Sequence, residues 1–454
     1  MKTAQKQARV HSDSQVLDYI RVEGGRPLTG EIVLKGAKNT VPKNMVAAVL
    51  TDEHCRLENT PEIEDVEIIT KIIELLGGVV TNDKETDVIT IEAKNIKTPK
   101  PKDLVSYTGK SRIPILFAGP LLARLGEAII PMPGGCDIGS RPVDFHIQAL
   151  EKLGATVEAK GDYYLVKADK LVGTKIALDY PSVGATEQVL LASVMAEGTT
   201  ELTGAAVEPE VIDLISVLQR MGAIISVDTD RVMTIVGVSK LRGYIHEAMP
   251  DRNEASSWAC AAAATGGRIF VRGAKQLDMM TFLNKFRQVG GEFDINEQGI
   301  TFYRSGPLKS ISMETAVHPG FMTDWQQPFV VMLTQAHGAS IVHETVYENR
   351  FGYVEALNNM GAKIQLYNKC LGGNDCRYSG TNYLHSAVIT GPTPLTGTEI
   401  VVPDLRGGFS YVIAALVANG ESKITQMAII NRGYEHIVDK LKALGAKILE
   451  VKTV

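Results

Sequence analysis

The chain has 454 residues, 44% of them hydrophobic and 22% charged, and carries a formal charge of −5. That length exceeds one ordinary core and points to two domains of roughly 200 residues each. The net negative charge argues against a general nucleic-acid binder, and no stretch of about eighteen apolar residues is available to span a membrane.

Residues 1–17 are polar, with no apolar run behind their positive charges, so they read as a disordered tail rather than a secretory signal. Five cysteines, at 55, 136, 260, 370 and 376, form no disulfide framework. Their odd number suggests a reducing compartment, and the expected location is cytoplasmic.

From there one signature keeps returning: an amphipathic helix end, then Gly-Gly or Gly-Ala, then a β-branched strand. It occurs as Ile-Glu-Leu-Leu-Gly-Gly (73–78), Leu-Glu-Lys-Leu-Gly-Ala (150–155), Leu-Gln-Arg-Met-Gly-Ala (218–223), Phe-Arg-Gln-Val-Gly-Gly (286–291), Leu-Asn-Asn-Met-Gly-Ala (357–362) and Leu-Lys-Ala-Leu-Gly-Ala (441–446). The first glycine of each is placed to end a helix, and the run that follows favours a strand. A second turn-and-strand signal lies upstream, as at 197–202 and 266–271. Each of six units therefore reads strand, helix, strand, helix, strand, strand, which makes the fold class α/β.

Each unit also has a polar corner where a strand enters a helix: 36–39, 109–112, 182–186, 250–254, 318–324 and 403–408. One such corner alone is ordinary helix capping. Lysine and arginine at helix starts oppose the dipole, however, and capping does not call for them. If the helix starts converge, Lys38, Arg112, Arg252 and Arg406 build positive potential in a cleft suited to a polyanionic substrate.

Residues 131–146, Pro-Met-Pro-Gly-Gly-Cys-Asp-Ile-Gly-Ser-Arg-Pro-Val-Asp-Phe-His, stand apart. Glycines and prolines exclude regular structure from the first half, so Cys136 is expected near the tip of a movable loop that leads into a helix beginning after Pro142.

These residues, with Gly-Ala-Lys-Asn (36–39), Ser-Val-Gly-Ala-Thr (182–186), Thr-Asp-x-Gln (323–326), Glu-Asn-Arg-Phe (348–351), Asp-Leu-Arg (404–406) and Asn-Arg-Gly-Tyr-Glu (431–435), resemble the UDP-N-acetylglucosamine 1-carboxyvinyltransferases over about residues 18–454. Those are enolpyruvyl transferases of peptidoglycan synthesis. The related shikimate-pathway transferase shares the sixfold architecture but lacks the cysteine loop. The resemblance implies a two-domain inside-out α/β barrel of six βαβαββ repeats, with the active site in the interdomain cleft. One domain would be 38–249, carrying the Cys136 loop, and the other 18–37 plus 250–454.

By the same resemblance, the reaction moves the enolpyruvyl group of phosphoenolpyruvate to the 3′-hydroxyl of UDP-N-acetylglucosamine and releases phosphate. Cys136 would be the general acid and Asp324 the base. Lys38, Arg141 and Arg432 would hold phosphoenolpyruvate, with Asn39, Arg112, Arg350, Asp404 and Arg406 completing the shell. The nucleotide sugar would lie along Arg141, Pro142, Val143, Asp144 and Phe145, facing Ser182, Val183 and Gly184, with Val346 near the sugar. No cofactor is implied, nor any nucleic-acid or membrane partner, and the oligomeric state stays open. His146 is expected to be an interior histidine.

No metal site is indicated. The gap of five residues between Cys370 and Cys376 is not zinc-knuckle spacing, and 368–386 reads as a surface hairpin extension. Two other readings stand beside the enzyme: a catalytically silent nucleotide-sugar binder, and an enolpyruvyl transferase with a different acceptor. Retention of Lys38, Cys136, Asp324 and Arg432 argues against the first, and the nucleotide-binding run 141–145 against the second.

Overall fold

The six repeat glycines, at 77, 154, 222, 290, 361 and 445, have φ values between 91° and 103°. L side chains avoid that region, so glycine ends each helix there. The helices are Glu64–Leu75, Asp144–Lys152, Pro209–Arg220, Met280–Val289, Val354–Asn359 and Ile437–Ala443. In every copy the residue after the glycine donates its N–H to a carbonyl five residues back, as in Ala155 to Leu150 (3.0 Å), Ala223 to Leu218 (2.9 Å) and Ala446 to Leu441 (3.0 Å). This closure satisfies an orphan helix carbonyl and turns the chain into the next strand, such as Ile224–Val227 or Lys447–Val451.

This computed structural model describes residues 19–134, 143–373, 375–403 and 405–451, with the side chains of 405 and 406 excepted. Its strands form six sheets, five of four strands and one of three. In each four-stranded sheet a parallel edge strand joins an antiparallel set. Ser312–Glu314, for example, runs parallel to Gly338–His343, which pairs antiparallel with Ser386–Gly391, which in turn pairs with Lys363–Tyr367. Among the described residues, the sheet built from Glu127–Pro131, Tyr163–Lys167 and Thr156–Ala159 has no parallel edge strand.

The expected two-domain α/β arrangement is built from separate sheets. No ladder among the described residues joins one sheet to the next, so none closes on itself. The inside-out arrangement comes instead from the helices that start at the polar corners. Arg252–Thr265 is buried from Arg252 to Ala264, and Thr323–Leu333 is nearly as enclosed. The alanine run 261–264 lets the backbone of the first helix approach its neighbours closely.

Two hydrophobic cores result. One joins Ile20–Leu34 to residues 255–446, and the other is built from residues 41–248. The chain passes between them twice: after Thr29–Val33, which pairs with Arg268–Arg272 in the first core, and after Ile245–Glu247, which pairs with Cys55–Glu58 in the second. The segment 368–385 is the loop of the hairpin whose arms meet at Tyr367 and Ser386. No described helix is long and apolar enough to cross a membrane.

Candidate active site

Lys38 occupies the turn before the helix Val41–Ala47, and its Nζ lies 2.7 Å from Oδ2 of Asp65. Asp65 sits in the first turn of Glu64–Leu75, its side chain only 1% exposed. Burial alone would raise its carboxyl, but Lys38 at contact and Arg432 farther off outweigh that and hold it below the usual carboxylate range. Arg432 follows the short helix Met427–Asn431 and brings in the other core. Its Nε pairs with Glu64 Oε2 at 3.2 Å, and its Nη2 donates to the Lys110 carbonyl at 2.8 Å.

Lys110 belongs to the corner 109–112, at the foot of the segment that carries Cys136. Gly109 N donates to the Met132 carbonyl (3.1 Å) and Gly134 N to the Ser111 carbonyl (3.2 Å). A Cβ on Gly134 would stand 1.9 Å from Gly109 O, so only glycine permits this approach. Next along is Arg112, whose charge reaches His146. Burial first, and Arg112 second, push His146 down to about 4, so it is a neutral interior imidazole as expected. Its Nε2 packs where a Cβ on Gly184 would be only 2.9 Å away.

Gly184 lies in the first turn of Val183–Ser193, capped by Ser182 Oγ, which accepts from Ala185 N at 3.3 Å. Two residues earlier, Tyr180 is covered by the guanidinium of Arg377, 4.6 Å from the ring centroid. Burial raises the Tyr180 hydroxyl to about 12. Arg377 comes from the hairpin loop 368–385, so that loop spans from one core to the other. Beside it Tyr378 donates its hydroxyl to the Val346 carbonyl at 2.8 Å.

Glu344 closes the arc. Its Oε1 accepts from Val346 N (2.8 Å) and Tyr347 N (3.0 Å), and its Oε2 accepts from Thr323 Oγ1 and Gln326 Nε2 (3.0 Å each). Burial pushes this carboxyl up, and the donors offset part of that. Glu344 thereby clamps the start of Thr323–Leu333 to the turn at 346–347. Asp324 stands at that helix start, its Oδ1 2.6 Å from Nη2 of buried Arg350.

The structure thus strings Lys38, Arg432, Arg112, Ser182, Val183, Gly184, Val346, Asp324 and Arg350 along one arc shared by both cores. Asn39 lies partly buried beside Lys38, its carbonyl accepting from Lys43 Nζ. Val143 is buried and Phe145 packs against the 41–248 core, so both brace the helix start, whereas Asp144 is exposed. Cys136, Arg141, Pro142 and Asp404 lie outside the described residues, as does the Arg406 side chain.

Arg252 departs from its expected role as a free cleft cation. It forms a two-pronged pair with buried Glu210, at 2.9 and 2.8 Å, and donates to the Asp278 carbonyl at 3.1 Å. It ties one core to the other. The sequence reading missed Asp65, Glu344, Glu210 and the Arg377–Tyr378 pair. First-turn acids such as Asp65 and Glu210 look like ordinary helix-dipole partners, and Glu344 gave no signal at all. A further departure concerns metal ligands: His343, Cys370, Cys376 and His385 place one ligand atom each within 4.8 Å of one another at the base of the hairpin loop.

Residues 22–441 match the family model described as EPSP synthase (3-phosphoshikimate 1-carboxyvinyltransferase). The chain belongs to that family. It is 48% identical over 439 residues to the UDP-N-acetylglucosamine 1-carboxyvinyltransferase of Protochlamydia amoebophila, covering 95% of this chain and 94% of the relative. Identity to the enzyme of the same name from Chlamydia abortus is 46%, covering 94% and 97%. Among solved structures, the enolpyruvyl transferase NikO from Streptomyces tendae superposes with a TM-score of 0.85 at 22% identity, covering 97% of this chain and all of that one. EPSP synthase from Acinetobacter baumannii superposes at 0.73 with 16% identity, covering 96% and 100%. The two-domain enolpyruvyl-transferase fold is therefore the fold of this chain.

Proposed function

We propose that this chain transfers the enolpyruvyl group of phosphoenolpyruvate to the 3′-hydroxyl of UDP-N-acetylglucosamine, the first committed step of peptidoglycan synthesis, in the cytoplasm. The observation that carries the reading is the arc from Lys38 and Arg432 to Asp324, drawn from both cores and following the residues named in the sequence. The relatives at 46% and 48% identity support the choice of acceptor. We take 38–249 and 18–37 plus 250–454 as the two domains.

The chemistry is addition followed by elimination. The sugar oxygen bonds to C2 of phosphoenolpyruvate while the methylene carbon takes a proton, giving a tetrahedral ketal. Loss of a proton from the new methyl group then restores the double bond as the C–O bond to phosphate breaks. Asp324 takes the hydroxyl proton, oriented by Arg350 and by the helix start that Glu344 holds. Cys136 supplies the proton to carbon. Lys38, Arg141 and Arg432 bind the phosphate and carboxylate, and Asn39, Arg112, Asp404 and Arg406 complete the polar wall.

The test is phosphate release from phosphoenolpyruvate with and without UDP-N-acetylglucosamine. Release that requires the nucleotide sugar is expected, and Cys136→Ser or alkylation by the epoxide fosfomycin should abolish it. Release with a shikimate-type acceptor alone, or binding of the nucleotide sugar with no release, would overturn the assignment.

A further inference from the structure

His343, Cys370, Cys376 and His385 are none of the residues assigned a part in the transfer, and that chemistry gives them no task. His343 ends the strand Gly338–His343, and His385 immediately precedes Ser386–Gly391, the strand paired with it. Both imidazoles are fully buried. The two cysteines come from the hairpin loop that covers them.

All four ligand atoms lie within 4.8 Å of one another, and two of their separations come close to those of a tetrahedral shell. Cys370 Sγ is 3.6 Å from Cys376 Sγ and 3.4 Å from His385 Nε2. A tetrahedral zinc with bonds of about 2.3 Å to sulfur and about 2.0 Å to nitrogen sets these separations at roughly 3.8 and 3.5 Å. A disulfide would need the sulfurs at about 2.05 Å, and both cysteines are free.

The hydrogen bonds around the imidazoles fix their tautomers. Ser386 Oγ donates its proton to the Lys369 carbonyl (2.7 Å), so toward His343 Nδ1 (2.8 Å) it can only accept. His343 therefore carries its proton on Nδ1. Its Nε2, buried and without a hydrogen-bond partner, presents a lone pair to the cluster. His385 faces the Tyr383 carbonyl through Nδ1 (2.7 Å), which likewise leaves Nε2 as a lone pair toward Cys370. An imidazole N–H held by a carbonyl or hydroxyl, with the opposite nitrogen turned inward, is how metal-binding histidines are oriented.

We propose that His343, Cys370, Cys376 and His385 form a structural zinc site. Two thiolates and two imidazoles suit zinc, and four protein ligands leave no open position for catalysis. On binding, both thiols lose their protons to solvent, and the resulting unit is electrically neutral, which suits its burial. The metal would clip the hairpin loop to the sheet. That would set Arg377 over Tyr180 and Tyr378 against Val346, the bridge between the cores next to the proposed nucleotide-sugar site. Only this last consequence rests on the proposed function.

The experiment counts metal in the full chain, purified without a metal-affinity tag or chelator. About one zinc per chain is expected, falling below about a tenth in Cys376→Ser and in His385→Ala, with far-ultraviolet circular dichroism checking that both variants fold. Cobalt(II) in place of zinc should give the intense visible bands of a tetrahedral thiolate site. Cys370 and Cys376 should resist a thiol reagent until a strong chelator is added. Wild-type chain that holds no zinc as isolated or after incubation with zinc, its two cysteines reacting freely or joined as a disulfide, would overturn the proposal whatever the activity. Chelation should also raise the KM for the nucleotide sugar about fivefold, the value of one lost hydrogen bond, with little change in kcat. An unchanged KM in zinc-free active enzyme would refute the bridging role and leave the metal count standing.

Discussion

Glu210→Ala should destabilise the protein by about 3–5 kcal/mol, because it leaves a guanidinium buried without its counter-charge. Glu210 begins the helix Pro209–Arg220 in one core, and Arg252 begins Arg252–Thr265 in the other, their side chains 3% and 2% exposed. After truncation Arg252 would keep its bond to the Asp278 carbonyl and its position over the Trp325 ring, 5.3 Å from the centroid. Neither supplies negative charge. Glu210→Gln keeps the shape and one acceptor, so it should cost less, about 1.5–3 kcal/mol. Replacing both partners, Glu210→Leu with Arg252→Met, also removes the desolvation penalty and should recover much of the loss. Urea unfolding followed by tryptophan fluorescence is a suitable assay, since the chain's two tryptophans, Trp258 and Trp325, are both buried in the core that contains Arg252. The cost should hardly change with salt, because a buried pair is poorly screened. Single-mutant costs below about 1 kcal/mol, or a double mutant whose cost equals the sum of the singles, would refute the reasoning.

Three more outcomes follow from the site. His146 protonates at about 4 in the folded protein against 6.5 when unfolded, so between those values the unfolded chain binds the proton. Stability is then full above about pH 6.5 and falls by at most about 3 kcal/mol as pH drops toward 4. His146→Gln should flatten that part of the pH–stability curve, and an unchanged slope would assign the shift elsewhere. Glu344→Gln should lower kcat about a hundredfold, as small misplacements of a reacting group do, with a smaller change in KM and little loss of stability. Loss of folding instead would make Glu344 a purely structural residue. Gly134→Ala should leave unfolding nearly unchanged but impair turnover, since the new methyl would collide with the Gly109 carbonyl that seats the foot of the Cys136 segment. Full activity in that variant would show that the foot can shift without consequence.

The repeat was legible because its defining event is local. A glycine at φ near 100° and the bond closing five residues back need only the helix end and two more residues, so the pattern stands in the sequence wherever it occurs. Sheet membership is not local. Nothing in Thr29–Val33 says that it will pair with Arg268–Arg272, nor does Glu127–Pro131 announce that its sheet will have no parallel edge strand among the described residues. The cleft residues divide in the same way. Lys38 and Arg112 could be picked out as cations at unusual positions, whereas Arg350 and Arg432 were named only through the family resemblance. The acids that hold three of them were invisible as partners: Asp65 for Lys38, Glu64 for Arg432 and Asp324 for Arg350. Arg252 shows what this costs an argument from charge alone, because its partner Glu210 turns a presumed cleft cation into a neutral tie between cores.

The hairpin loop carries the same lesson one step further. Spacing along a chain constrains metal ligands only when all of them lie in one local loop, as in a zinc knuckle. Here an antiparallel ladder sets His343 opposite Ser386, and so beside His385, before the loop contributes anything. The loop then needs only to deliver two sulfurs from above, and five intervening residues serve for that as well as two would. A pair of cysteines in a hairpin insertion is thus better judged by what ends the strands beneath it than by the distance between the cysteines. In this chain those strand ends are two buried histidines whose outward nitrogens are already held, which leaves the inward ones for a ligand that the loop encloses.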